Sequence, residues 1–229
     1  MMVLGIPVNE MLQSHPRGIF FLMHGHFGNK SFAQFNGLAE QLFALGFDVV
    51  SIDAYKHGER LQPPYIKNDA IETTLEMVTV VEQTLKDIVH LYQHHYIKHS
   101  QQVSILGVSM GGHISFLLNR FLDLEFCIPI IGSPNLRLHY DEKKRPILGN
   151  RLHEIEQKLD ELTLKTEEFN PRYALVLNGE HDDVVSYEPA KAFMDKIHYD
   201  HYSYIGYPCG HELTPTMIQD IITYVRSKR

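Results

Sequence analysis

Short apolar runs alternate along this chain with longer stretches in which apolar residues recur every three or four positions. The runs Gly18–Met23, Asp48–Ile52, Val103–Gly107, Phe126–Ile131, Tyr173–Asn178 and Tyr202–Ile205 are bounded by polar or turn-forming residues and read as buried strands. Between and after them, Ser31–Leu45, Asp69–Tyr96, Gly111–Phe121, Tyr187–Ile197 and Thr216–Arg226 carry helix-like patterns. Ser31 and Gln34 have the S-x-x-Q spacing of a capping box, which predicts a helix start at Ser31. Strand and helix in regular alternation predict an α/β fold, a mostly parallel sheet with helices on both faces. No repeat, low-complexity tract or linker interrupts the pattern, so residues 1–229 are expected to form a single domain. One segment, 135–170, breaks the alternation. It is long and polar, with Asn150 placed to cap a helix and Leu152, Ile155, Leu159 and Leu162 forming one apolar stripe.

The sharpest chemical signal lies at the end of a strand. Val103-Ser104-Ile105-Leu106 leads into Gly107-Val108-Ser109-Met110-Gly111-Gly112, and the helix-like run His113–Leu118 follows. A serine on a tight strand-to-helix turn is forced outward, with its hydroxyl exposed above the sheet. Glycines at 107 and 111 allow the turn, because side chains there would meet the neighbouring strand and helix. The N–H groups that follow the serine open a helix and are free to bind a developing oxyanion, Met110 first among them.

A nucleophilic serine needs a base and an orienting acid, and both follow in order. The Tyr173–Asn178 strand runs into Gly179-Glu180-His181-Asp182-Asp183, and the Tyr202–Ile205 strand into Gly206-Tyr207-Pro208-Cys209-Gly210-His211. The order Ser109…Asp182…His211 places each candidate just after a strand, on the rim where open α/β sheets carry their sites. Local sequence does not separate Asp182 from Asp183 or the nearby Glu180. His181 shares the acid's loop and His201 precedes its strand, which leaves His211 as the base. The Gly18–Met23 strand ends in His24-Gly25-His26-Phe27-Gly28, a loop placed to offer a second oxyanion N–H, that of His26, beside Met110. Gly28-Asn29-Lys30-Ser31 also has an echo of a phosphate loop, but Asn29 intervenes and Gly25 is too close upstream.

Taken together, His24-Gly25-His26-Phe27-Gly28, Asp53 with His57-Gly58-Glu59-Arg60, the Ser109 elbow, Gly179-Glu180-His181-Asp182 and Gly210-His211 span most of the chain. In that order they resemble the α/β-hydrolase superfamily, and most of all its dienelactone-hydrolase-like and prolyl-oligopeptidase-like small bacterial serine esterases. The resemblance implies a serine hydrolase acting on esters, thioesters or, less often, amides, with no cofactor. Its Gly-x-x-Asp pattern, counted from Gly179, selects Asp182 as the acid. It also implies that segment 135–170 is a small helical cap over the nucleophile. The apolar stripe is equally suited to packing on the body or to pairing two subunits in a homodimer. The chain departs from the family at its start: only Val3 to Leu12 precede the first long strand, so the opening strands are expected to be abbreviated and their number is left open.

Composition adds exclusions. A net charge of -7 argues against a nucleic-acid partner, which calls for a basic face. Two cysteines, Cys127 and Cys209, make no disulfide framework, and the Cys209 loop has no strand–turn–helix elbow to present a nucleophile. Met1 to Val8 lacks the basic start of a signal peptide and no apolar run is long enough to span a membrane, so a cytoplasmic protein is expected. Among the 15 histidines, His90, His94, His95 and His99 cluster, but their two pairs point roughly 140–180° apart on a helix and cannot converge on one metal ion. The expected function is cleavage of a small-molecule carboxylic ester, with Phe27, Tyr55, Tyr65 and Tyr140 as candidates to shape the substrate pocket. A peptidase, an acyl-thioesterase and a non-enzymatic ligand receptor are the alternatives.

Overall fold

The structure, a computed structural model, describes residues 1–61, 70–138, 153 and 155–228. Tyr65, Tyr140, Asn150 and Leu152 lie outside the described residues. Among the described residues eight strands form one sheet: β1 (Met2–Val3), β2 (Ile6–Met11), β3 (Ile19–Met23), β4 (Asp48–Ile52), β5 (Val103–Val108), β6 (Leu124–Ile130), β7 (Tyr173–Gly179) and β8 (Tyr202–Tyr207). Their order is β1-β2-β4-β3-β5-β6-β7-β8. From β4 onward every neighbouring pair is parallel, while β2 runs antiparallel to both its neighbours, β1 and β4. The opening strands are therefore both present, and β1 is reduced to two residues. A two-residue turn joins them, with Leu4 and Gly5 both at positive φ (49° and 79°), the geometry that matches the twist of a hairpin.

Helices α1 (Leu38–Ala44), α2 (Ala70–His94), α3 (Met110–Leu117), α4 (Glu156–Glu161), α5 (Glu188–Met194) and α6 (Pro215–Ser227) cover both faces. Strand residues alternate between two cores. Phe20, Leu22 and Val49 join Leu38 and Leu42 of α1 and Ile218 and Ile221 of α6. Ile19, Phe21 and Ile105 face the other way, toward Val81 and Ile88 of α2, Ile114 of α3 and Phe193 of α5. With both faces covered, the central strands are apolar throughout, which is why they read as runs rather than as alternating patterns.

Two local expectations need correction. The predicted helix over Ser31–Leu45 is broken: Phe32–Phe35 form a 3-10 turn, Asn36 and Gly37 adopt positive φ (51° and 81°), and α1 starts only at Leu38. The capping box does not form. Ser31 makes no side-chain cap, and the Gln34 amide oxygen instead accepts the Asn29 N–H at 3.2 Å. At the other end of the chain Thr214 caps α6, its hydroxyl accepting the Met217 N–H at 3.2 Å, with Pro215 in the first turn.

In the 135–170 segment, Ile155, Leu159 and Leu162 of the expected stripe are buried in the core that holds α2 and α3. Arg120, just past α3, ties the segment down. Its guanidinium donates to both carboxylate oxygens of Glu168 (3.1 and 2.9 Å) and to the carbonyls of Glu161 (2.5 Å) and Thr163 (2.6 Å). The described part of the stripe thus packs on the body of the molecule. His90, His94, His95 and His99 are exposed, and α2 ends at His94. Among the described residues, no group of three or more His, Cys, Asp or Glu could hold a metal, and no helix is long and apolar enough to cross a membrane.

Candidate active site

Parallel strands bring their C-terminal ends to one edge, and β3, β5, β7 and β8 end there in the four loops singled out by sequence. Ser109 sits between β5 and α3 at φ 58° and ψ -115°, a conformation that costs energy for a residue with a side chain. Close packing enforces it. A Cβ on Gly107 would lie 2.1 Å from the Gly111 carbonyl oxygen, and one on Gly111 would lie 2.2 Å from that of Met23. The Ser109 N–H donates to the Ile130 carbonyl at 2.9 Å, anchoring the elbow to β6.

His211, on the loop after β8, reaches Ser109 and Asp182 at once. Its Nε2 is 2.9 Å from Ser109 Oγ and its Nδ1 is 2.7 Å from Asp182 Oδ2. The second oxygen of Asp182 accepts the N–H groups of Val184 (2.8 Å) and Val185 (2.9 Å). Burial alone would push this carboxyl's pKa up; the hydrogen bonds from His211, Val185 and Val184 outweigh it and hold the pKa below the usual carboxylate value. Asp183, Glu180 and His181 are exposed on the same loop, and His201 lies at the opposite, N-terminal end of β8. His211, 102 residues from Ser109 and 29 from Asp182 along the chain, thus joins them in one hydrogen-bonded line.

Met110 is the first residue of α3, where N–H groups lack intrahelical acceptors. The turn Gly25–Gly28 closes with a bond from the Gly28 N–H to the Gly25 carbonyl at 3.0 Å and runs beside Ser109: a Cβ on Gly25 would lie 3.3 Å from Ser109 Cβ. His26 and Phe27 form its tip, with their rings 3.9 Å apart, Phe27 at φ 62° and 64 % exposed. Cys127 is fully buried, and burial pushes its thiol up to about 12, while Cys209 is a half-buried free thiol whose pKa burial also raises. Both shifts disfavour the thiolate that a cysteine nucleophile would need. In the sequence, Asp53 and His57-Gly58-Glu59-Arg60 suggest no chemical role, His57 and Arg60 being suited to shape the loop after Asp53 or to line the pocket. In the structure Tyr55, on that stretch, lies beneath the Arg60 guanidinium, 5.2 Å from its ring centroid.

Sheet order, elbow and loop placement define an α/β-hydrolase. More narrowly, the chain belongs to the family described as serine aminopeptidase, S33, whose model matches residues 14–165. That match includes Ser109 and ends before Asp182 and His211. No curated protein matches the chain in sequence. Among solved structures, TT1662 from Thermus thermophilus is similar at a TM-score of 0.75 and 18% identity, over 97% of this chain and 93% of that one. Acetyl xylan esterase 1 from Thermoanaerobacterium sp. JW/SL YS485 is similar at 0.75 and 16% (97% and 78% covered). Est1E from Butyrivibrio proteoclasticus, solved with ferulic acid bound, is similar at 0.67 and 15% (97% and 94% covered). At these identities the likeness is one of fold.

Proposed function

We propose that this protein is a serine hydrolase that cleaves small carboxylic esters through an acyl-serine intermediate. The observation that carries the reading is the line Asp182–His211–Ser109, joined at 2.7 and 2.9 Å by hydrogen bonds of catalytic length. His211 Nε2 takes the proton from Ser109 Oγ as the oxygen attacks the substrate carbonyl. Asp182 holds the Nδ1–H tautomer and stabilises the imidazolium. The N–H groups of Met110 and His26 receive the oxyanion. The imidazolium then protonates the departing alkoxide, and the alcohol leaves. Water, deprotonated by His211, adds to the acyl-serine, and collapse of the second tetrahedral intermediate releases the acid and returns the proton to Ser109. Phe27, exposed at the tip of the oxyanion turn, is positioned to contact the substrate.

The esterases among the structural neighbours support an ester substrate, while the description of the family favours a second reading, an aminopeptidase. A panel of p-nitrophenyl esters run beside aminoacyl anilides separates them. A buried CH₂ contributes about 0.8 kcal/mol, so a deep acyl tunnel rewards each added carbon and a small pocket soon stops doing so. The apolar stripe of segment 135–170 is spent on the protein body at Ile155, Leu159 and Leu162, which leaves those residues no surface for lining a tunnel. The expected result is a kcat/KM that peaks at acyl chains of about two to six carbons, with anilides far slower. A continued rise to long chains contradicts the small pocket, and anilide rates matching the ester rates favour the peptidase.

A further inference from the structure

The oxyanion turn Gly25–Gly28 is held at both ends by the loop that follows β4, and the residues that hold it take no part in the chemistry described above. At the upstream end is His24, whose imidazole is buried. Its Nε2 accepts the Ala54 N–H at 3.0 Å and its Nδ1 lies 2.7 Å from the Gly25 carbonyl oxygen. Those partners require a neutral ring with the proton on Nδ1, donating to Gly25. Burial stabilises that form, pulling the pKa down to about 4. At the downstream end is Lys30. Its N–H donates to Asp53 Oδ1 at 2.7 Å, its Nζ lies 3.4 Å from Asp53 Oδ2 and also pairs with the Glu59 carboxylate, and its carbonyl accepts from Asn9 Nδ2 at 3.0 Å.

Asp53 is completely buried, and its Oδ2 also accepts the Glu59 N–H at 2.9 Å. The backbone wraps closely round it. Gly58 has φ +53°, and a Cβ there would lie 2.2 Å from Asp53 Oδ1. A carboxylate withdrawn from water is costly unless its oxygens are satisfied, and an apolar core of the same volume would often be as stable. What the arrangement supplies is therefore location. An N–H donor must sit about 2.7–3.1 Å from the oxyanion, and an error of 1 Å costs on the order of 100-fold in rate.

We propose that Asp53 and His24 are positioning residues, which fix the Gly25–Gly28 turn so that its N–H group meets the oxyanion formed at Ser109. The proposal rests on the serine-hydrolase reading. It gives Asp53, Ala54, Gly58 and Glu59 of the stretch after β4 a part in the catalytic scaffold, although Asp53 hydrogen-bonds to none of Ser109, Asp182 or His211.

The test compares Asp53→Asn, His24→Leu and His24→Gln with the wild-type protein on p-nitrophenyl acetate and against a trifluoromethyl ketone. The ketone forms a tetrahedral oxyanion on the nucleophilic serine and so senses the turn, whereas KM reports mainly the uncharged substrate. Asp53→Asn and His24→Leu are expected to lose about 10- to 100-fold in kcat, with affinity for the ketone falling in step and KM moving by less than about threefold. His24→Gln, whose Oε1 can replace Nε2 as acceptor for the Ala54 N–H, is expected to recover most of the loss seen in His24→Leu. Thermal unfolding checks that each variant is folded; should Asp53→Asn fail to fold, the His24 pair decides. Folded variants with wild-type kcat and ketone affinity overturn the proposal, as does a loss of kcat that the ketone affinity does not follow. A wild-type protein that hydrolyses no ester and binds no ketone would instead overturn the hydrolase reading itself.

Discussion

Asp182 and Asp183 are the same residue side by side, and the loop after β7 separates them. Asp182 turns inward, where its side chain is fully shielded and both oxygens are engaged by His211 and by two backbone N–H groups; Asp183 faces solvent. In the proposed mechanism only Asp182 can orient His211. Asp182→Asn is expected to lower kcat by about 10⁴-fold, by analogy with serine proteases, while Asp183→Asn stays close to wild type. Steady-state kinetics on the two purified, folded variants checks this, and equal losses would contradict it. The meeting of Ser109 with His211 was legible because each belongs to a motif with a structural context, and singling out Asp182 as the carboxylate beside them needed the Gly-x-x-Asp resemblance as well. The buried links of His24, Lys30 and Asp53 were not legible. Most of these links involve a backbone group, of Gly25, Lys30, Ala54 or Glu59, which leaves no side-chain pattern in a sequence, and the Lys30–Asp53 and Lys30–Glu59 pairs join residues 23 and 29 apart.

At the scale of elements, the strand–turn–helix unit around Ser109 depends on contacts that only glycine permits. Gly111→Ala would set a methyl against the Met23 carbonyl, part of the β3 backbone, which cannot move as a flexible side chain could. The expected cost is about 1–3 kcal/mol, read as a lower urea midpoint, together with lower kcat because α3 carries the Met110 N–H. An unchanged midpoint would contradict this packing. Strands β3 to β8 were visible as apolar runs. The break at Asn36-Gly37 is masked in the sequence because the apolar spacing continues through it, although an Asn-Gly pair is itself a turn signal. The β1–β2 hairpin turns on Leu4-Gly5 rather than on Asn-Gly or Asp-Gly, so no strong local signal announced it.

At the scale of the molecule, four histidines among the described residues are held in environments that disfavour their charged form. Burial pulls the pKa of His24, His26 and His113 down to about 4 and also lowers that of His57. In the unfolded chain the same rings titrate near 6.5. Between about 4 and 6.5 the unfolded state binds more protons than the folded one, so these residues contribute their full stability above 6.5 and lose it as the pH falls towards 4. Asp48, whose pKa burial raises, works in the opposite direction and offsets part of the effect. Urea unfolding is expected to show clearly lower stability at pH 5 than at pH 7; equal stability would mean that these rings are not held neutral. The α/β architecture was legible from alternation alone. The two-sided core was not, because strands buried on both faces lose the alternation that would assign a residue to one side.

The central claim is that Ser109, activated by His211, is a nucleophile. A fluorophosphonate probe followed by peptide mass mapping tests it most directly. The account predicts a single modification, on Ser109, that is absent from Ser109→Ala and strongly slowed in a folded His211→Ala variant. Undiminished labelling of Ser109→Ala, or no labelling of the native protein, would contradict it.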